Sequence, residues 1–381
     1  MKRYLLSKSA VVEELDHIWY VNNGKSSYKI NATMAQILLE FQLPNEVATI
    51  VEKILQPENK EEKIQSIAFI DTFLTEMRKI GVIVLDTDQD LQKPKPVLKV
   101  GNVYRNFEVL EMIAANDSFV QVYKILKSEN IKPTVIKLFA CKKNKIDSNK
   151  KTHKSFMMFQ QEMQIHGSIP SHQNICFFVE KNQILNYPYF EMEFVNGKEL
   201  SRNIRSKRNY QNTNHKIASG LLAAMAHLHH NNIVHADLHS RNFMFDAKKN
   251  VKIIDFGFSY NTTIPSENQV MNRGGVAHYM PPERVYDHPF IFSNTVSTLQ
   301  GEVYQLGLML FRLYTKTNPF ASKTEKTWAE MAHDILNFEI LEPITNNVQK
   351  DAIIKKAMSK NPIDRYKNCV EMQKMWLEIK D

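Results

Sequence analysis

Three oxygen-bearing side chains in this sequence could meet at one point. His235-Ala-Asp-Leu-His-Ser-Arg-Asn242 sets Asp237 and Asn242 five positions apart in what reads as a loop. Val251-Lys-Ile-Ile-Asp-Phe-Gly257 follows, an apolar run ending in Asp255 with a glycine two residues on. The run reads as a short strand with Asp255 at its tip. A hard divalent cation takes carboxylate and carboxamide oxygens and shares its shell with phosphates. A further carboxylate beside it can orient an attacking hydroxyl. Asp237, Asn242 and Asp255 therefore point to phosphoryl transfer at a magnesium-type centre.

Asp-x-x-x-x-Asn followed by Asp-Phe-Gly at this separation resembles the catalytic and magnesium-binding loops of eukaryotic-type protein kinases. The likeness runs from Tyr104 to the end of the sequence. Phe107–Leu110, Phe119–Ile125 and Pro133–Phe139 read as strands of a small antiparallel lobe, and Thr134-Val-Ile-Lys137 puts a lysine on the third. A helix from about Ser155 to Ser168 carries Glu162, ahead of His172-Gln-Asn-Ile175, which is similar to the family's His-Pro-Asn-Ile marker. The resemblance implies that Glu162 pairs with Lys137 and holds it against the nucleotide's phosphates. Tyr189–Gly197 resembles the hinge between lobes. It implies that the backbone of Glu193 and Val195 faces adenine, that Met192 limits the pocket behind, and that Val122, Val135 and Met244 line the ring.

The same resemblance has Asp237 accept a hydrogen bond from the substrate hydroxyl, chiefly to orient it, and makes Asn242 and Asp255 the magnesium ligands. Many Ser/Thr kinases carry a lysine two residues after the catalytic Asp, where this chain has His239. Tyrosine kinases carry an arginine four residues after it, and here that is Arg241, a cation able to neutralise the transferring phosphoryl group. His235 is expected to pack under the Asp-Phe-Gly turn. Gly274–Glu283, Glu302–Phe311, Pro319-Phe320 and Asn361–Arg365 resemble later family markers, with Glu283 and Arg365 as a structural ion pair. The implied fold is α+β and bilobal, with a small lobe over 104–192 and a helical lobe over 193–381. The implied cofactors are ATP and Mg2+. The implied reaction is transfer of the γ-phosphoryl group to a Ser or Thr hydroxyl, with Tyr open, on a protein or peptide.

The pattern also breaks. The family's glycine-rich loop is absent: Ile113-Ala-Ala-Asn-Asp-Ser-Phe-Val-Gln-Val122 places Ala115, Asp117 and Val120 where glycines would let the backbone approach phosphate. An Asp facing the phosphates would repel them. Ala236 replaces the arginine that binds a phosphorylated activation loop, which implies activity without loop phosphorylation. Val276 replaces a threonine that steadies the catalytic Asp in Ser/Thr kinases. Glu302 stands where an Asp anchors the catalytic loop. A pseudokinase scaffold and a small-molecule phosphotransferase are the competing readings.

Residues 1–85 form a separate stretch. Val11-Val12, Ile18–Val21 and Tyr28–Ile30 read as strands, with Asn23-Gly24 as a hairpin turn. Asn31-Ala-Thr33 reads as a helix cap ahead of Met34, Ile37, Leu38 and Phe41 at helical spacing. Further helices are expected over Glu46–Leu55 and Glu62–Ile80, then a closing strand at Val82–Leu85. The order resembles a PqqD-like, winged-helix module, which in its family binds a leader peptide as an added strand. Asp86–Val103, with Lys93-Pro-Lys-Pro96, reads as a linker.

The chain has 381 residues and a formal net charge of +8. The densest basic patch, Lys142–Lys154, lacks interleaved aromatics and reads as a solvated loop, with docking of an acidic partner as the sharper option. The module lacks a basic excess, so no nucleic-acid partner is expected. Three scattered cysteines fit a reducing compartment rather than a disulfide framework. No signal peptide or membrane-length apolar run is visible, so a cytoplasmic protein is expected.

Overall fold

The structure, a computed structural model, describes residues 3–7, 10–15, 18–22, 27–42, 45–85, 96–115, 119–142, 146, 150–205, 211–246, 248–271, 275–285, 296–320, 328–341 and 343–379. The chain divides into two compact units, the second beginning at Lys93.

The first unit contains β1 (Arg3–Leu6), β2 (Val11–Leu15), β3 (Ile18–Asn22), β4 (Ser27–Ile30), α1 (Ala32–Leu39), β5 (Asn45–Glu46), α2 (Val47–Ile50), α3 (Lys60–Lys79) and β6 (Ile83–Leu85). β2, β3 and β4 form one antiparallel sheet, and β1 pairs with β5 and β6 in another. β3 and β4 pair from Trp19↔Ile30 to Asn22↔Ser27; the Asn23-Gly24 turn lies outside the described residues. The helix caps act as the sequence implies. Asn31 Oδ1 accepts from the Met34 amide (2.8 Å) and Asn59 Oδ1 from the Glu62 amide (2.9 Å). Instead of one helix over Glu46–Leu55, α2 gives way to a π-helical turn at Val51–Leu55, closed by Gln56 at φ 45°. Val21, Ile37, Leu38, Phe41, Ile50, Ile70 and Leu74 belong to a core of the unit's own.

The second unit opens with β7 (Val103–Tyr104), β8 (Phe107–Ala115), β9 (Val120–Lys127), β10 (Thr134–Phe139), α4 (Lys150–Ser168), β11 (Phe178–Ile184) and β12 (Tyr187–Glu193). Its antiparallel sheet has the order β11-β12-β10-β9-β8-β7. β8 continues well past Leu110. Without glycines, Ala114 and Ala115 keep pairing with Val122 and Gln121. α4 starts at Lys150, so the last part of the basic patch is helix rather than loop. The expected linker also ends early. Leu98 is fully buried in the small lobe, and the Val97 and Leu98 amides donate to the Tyr123 hydroxyl.

The large lobe follows with β13 (Lys198–Glu199), α5 (Leu200–Arg205), α6 (Gln211–His230), β14 (Ile233–Val234), β15 (Phe243–Phe245), β16 (Val251–Ile253), β17 (Tyr260–Asn261), α7 (Leu299–Thr315), α8 (Trp328–Asn337), α9 (Val348–Ala357) and α10 (Cys369–Leu377). The apolar runs of α6 and α7 are buried among the other elements. Arg365 clasps Glu283 through two hydrogen bonds of 2.9 and 2.7 Å, with the guanidinium side buried. The β15–β16 hairpin matters most for the site. Its register pairs Phe243 with Ile253, which sets Asn242 and Asp255 side by side at its open end.

Candidate active site

The centre is a lysine between two carboxylates. β10 pairs with both β9 and β12, so Lys137, opposite Val122 and Phe190, sits mid-sheet with its stem buried. Its Nζ pairs with Glu162 Oε1 on α4 and lies 2.9 Å from Asp255 Oδ1. Burial pulls the ammonium's pKa down, but Asp255 and Glu162 outweigh it and keep the lysine charged. Burial raises the Asp255 carboxyl, yet Lys137 and the Gly257 amide hold it at about 2. Burial pushes Glu162 up to about 7 against the pull of Lys137. One ammonium thus faces two acids, and Asp255 keeps the firm negative charge. Val120, Lys137, Glu162, Asp237, Asn242 and Asp255 line a cavity of about 130 Å³.

The catalytic loop is held from below. Glu302 on α7 is fully buried, and its carboxylate accepts from the His235 amide (3.2 Å) and the Ala236 amide (2.6 Å). His229 Nε2 donates to the same carboxylate (2.9 Å), while its Nδ1 accepts from the Cys369 amide (2.9 Å). The longer side chain therefore does the anchoring expected of an Asp. His235 packs against the Phe256 ring at 5.7 Å, under the Asp-Phe-Gly turn. Asn242 Nδ2 donates to the Asp237 carbonyl (2.9 Å) and carboxylate (3.3 Å). That leaves Asn242 Oδ1 as an acceptor, on the cavity wall that Asp255 also lines. Two oxygen donors from the protein, completed by phosphate and water, are what magnesium takes, so the residues present fit that ion.

The hinge runs through Glu193 and Val195. Val135, Met192 and Val195 are buried in one apolar cluster, with Val122 and Met244 packed against it. These are the residues expected around adenine. The Glu193 carboxylate turns to Lys252 (2.8 Å), and its carbonyl is 3.3 Å from the Cys176 thiol.

The protein kinase domain family matches residues 116–377. The chain belongs to the protein kinase family. It is similar to the serine/threonine-protein kinase PrkC of Bacillus subtilis, 28% identical over 222 residues, covering 56% of this chain and 32% of that protein. It is similar to the serine/threonine-protein kinase kin-29 of Caenorhabditis elegans, 26% identical over 62% of this chain and 27% of that protein. It is also similar to the serine/threonine-protein kinase PLK4 of Danio rerio, 24% identical over 70% of this chain and 26% of that protein. The chain spans under a third of the length of these relatives.

Within the kinase domain, two residues stand differently from expectation. Arg241 is exposed and does not line the cavity, so its guanidinium is not gathered to the carboxylates. His239 is. Its Nδ1 accepts from the Arg241 amide (3.2 Å), which puts the neutral ring's proton on Nε2, 3.4 Å from Asp237 Oδ2. The sequence showed His239 only as a missing lysine. Phe119, where the description resumes after the glycine-free stretch, adopts φ 65°, lies 5.9 Å from Phe139 with the rings tilted by 50°, and accepts the Ala140 amide (2.6 Å) through its carbonyl. Asp117 lies outside the described residues, and Val120 lines the cavity without closing it. Among the described residues no helix is long and apolar enough to cross a membrane.

Proposed function

We propose that the chain is an ATP-dependent protein kinase that phosphorylates Ser or Thr. The observation that carries this reading is Lys137 bonded at once to Glu162 and Asp255 on the wall that Asp237 and Asn242 share. Asn242 and Asp255 would hold Mg2+, which draws charge from the phosphates. Lys137 offers a point charge to the same phosphates. Asp237 orients the acceptor hydroxyl: the oxygen bonds to the γ-phosphorus, the bond to the β-bridging oxygen breaks, ADP leaves, and the hydroxyl proton passes to Asp237. Labelled ATP with magnesium and a generic acceptor protein tests this against Asp237→Ala and Asp255→Ala. Transfer by the wild type and its loss in both variants is expected. No transfer and no nucleotide-induced thermal shift would leave a scaffold, the reading that the lost glycines favour.

The first unit fits a PqqD-like, winged-helix reading, and the peptide substrate would then be a ribosomally made precursor. Support comes from its three-stranded sheet, in which β2 and β4 are the outer strands and Val11 on β2 is 52% exposed. An edge strand can take up an extended leader through main-chain bonds.

A further inference from the structure

α4 carries a second functional side chain, next to Glu162. The Gln161 carboxamide reaches the segment that follows the Asp-Phe-Gly turn. Its Nε2 donates to the Ser259 carbonyl (2.8 Å) and the Val270 carbonyl (3.0 Å), and its Oε1 accepts from the Val270 amide (2.6 Å). Both donor hydrogens and the acceptor are used. Gln161 thus pairs with Val270 as a neighbouring strand would. Only a carboxamide matches one amide and two carbonyls in this arrangement.

The segment it grips is closed and anchored elsewhere. Gln269 repeats the device one residue earlier. Its Oε1 accepts from the Asn261 amide (3.0 Å), and its Nε2 donates to the carbonyls of Asn261 (2.8 Å) and Ile264 (2.7 Å). At the other end, Ser259 Oγ donates to the His235 carbonyl (3.1 Å), and β17 pairs with β14 just ahead of His235. Residues 259–270 are therefore fastened to the catalytic loop on one side and to α4 on the other. Neighbouring helical residues point about 100° apart. Glu162 can face the cleft while Gln161 faces the segment, and a shift of α4 that breaks one contact strains the other.

We propose that Gln161 is a positioning residue that docks α4, and with it Glu162, onto the activation segment, and that these neutral contacts hold the catalytic arrangement with no phosphate on the segment. Ala236 agrees with this. It is buried beside Asp237 and has no side chain with which to reach a phosphate. The inference rests on the kinase reading above and adds what keeps that kinase assembled.

The test uses the full chain, treated with phosphatase and verified as unphosphorylated by mass spectrometry. Transfer to a generic acceptor, melting temperature and backbone hydrogen exchange are measured for wild type, Gln161→Glu and Gln269→Ala. Glu keeps the shape of Gln but sets an acceptor against two carbonyls. The expected results are an unphosphorylated wild type as fast as the untreated protein and a Gln161→Glu kcat lower by about tenfold or more. The KM for ATP should stay within about twofold, with faster exchange across 259–270. Loss of wild-type activity on dephosphorylation, or a Gln161→Glu variant with unchanged kcat, would overturn the proposal. Should Gln161→Glu fail to fold, Gln269→Ala decides: a lowered kcat supports it and an unchanged one overturns it. Should the wild type transfer nothing, the kinase reading itself fails. Exchange then judges the docking alone, with equal exchange in wild type and variants counting against it.

Discussion

Asp237 receives two neighbours that a catalytic carboxylate needs. Asn242 donates to its carboxylate, and His239 Nε2 stands 3.4 Å from its Oδ2, an ion-pair distance. An ion-pair contact of this length, partly open to solvent, is worth about 0.2–1 kcal/mol, up to about fivefold in rate when it acts on the transition state. His239→Ala should therefore lower kcat about two- to fivefold and leave the KM for ATP nearly unchanged. Steady-state kinetics read this directly, and a raised KM at constant kcat would show that His239 acts in binding instead. That Lys137, Glu162, Asp237, Asn242 and Asp255 come to one cavity was legible in the sequence, because each sits in or beside a short motif at a fixed spacing. His239 was not, because its role depends on a tautomer set by the backbone amide of Arg241. Gln161 was invisible for a related reason: its partner, Val270, is 109 residues away.

At the scale of elements, four rings link the lobes. Phe178 on β11 lies 5.6 Å from His166 on α4, His166 lies 4.8 Å from Phe256, and Phe256 lies 5.7 Å from His235. His166 is buried, and its Nε2 donates to the Cys176 carbonyl (2.6 Å). Its Nδ1 is buried with no hydrogen-bond partner among the described residues. Burial lowers its pKa to about 4. An unfolded histidine takes up a proton near pH 6.5. Between those values the unfolded state binds more protons, so the stability His166 contributes is full above pH 6.5 and is lost as pH falls towards 4. The loss by pH 5 is about 2 kcal/mol. His166→Leu should flatten this part of the curve of melting temperature against pH relative to wild type. Parallel curves would mean that other groups, His235 included, carry the acid sensitivity. Strand and helix positions were mostly readable from periodicity. Their ends were not: β8 runs on to Ala115, its ladder with β9 resuming after register shifts at Val109/Glu111 and Met112/Ala114, and α4 begins inside a lysine-rich stretch that looked like loop.

At the scale of the molecule, the boundary between the units decides what can be cut. The stretch that reads as a linker ends before Val97, since Leu98 belongs to the core around Phe107, Tyr123 and Ile136. Composition could not reveal this, because lysines and prolines on either side mask one apolar anchor. Removing residues 1–90 leaves Leu98 and its amide bonds to Tyr123 in place. Removing residues 1–103 empties a leucine site and strips two hydrogen bonds from the Tyr123 hydroxyl. Loss of a buried leucine alone costs about 2–5 kcal/mol. The shorter deletion should keep the kinase unit's melting temperature and its transfer to a generic acceptor within about twofold, while the longer one should melt several degrees lower. Affinity for a candidate leader peptide, measured on the intact chain and the shorter deletion, then separates the two roles. Binding that disappears with residues 1–90 while generic transfer persists assigns recognition to the first unit. Binding that survives the cut removes the leader-peptide reading and leaves the kinase domain as the only peptide-engaging part.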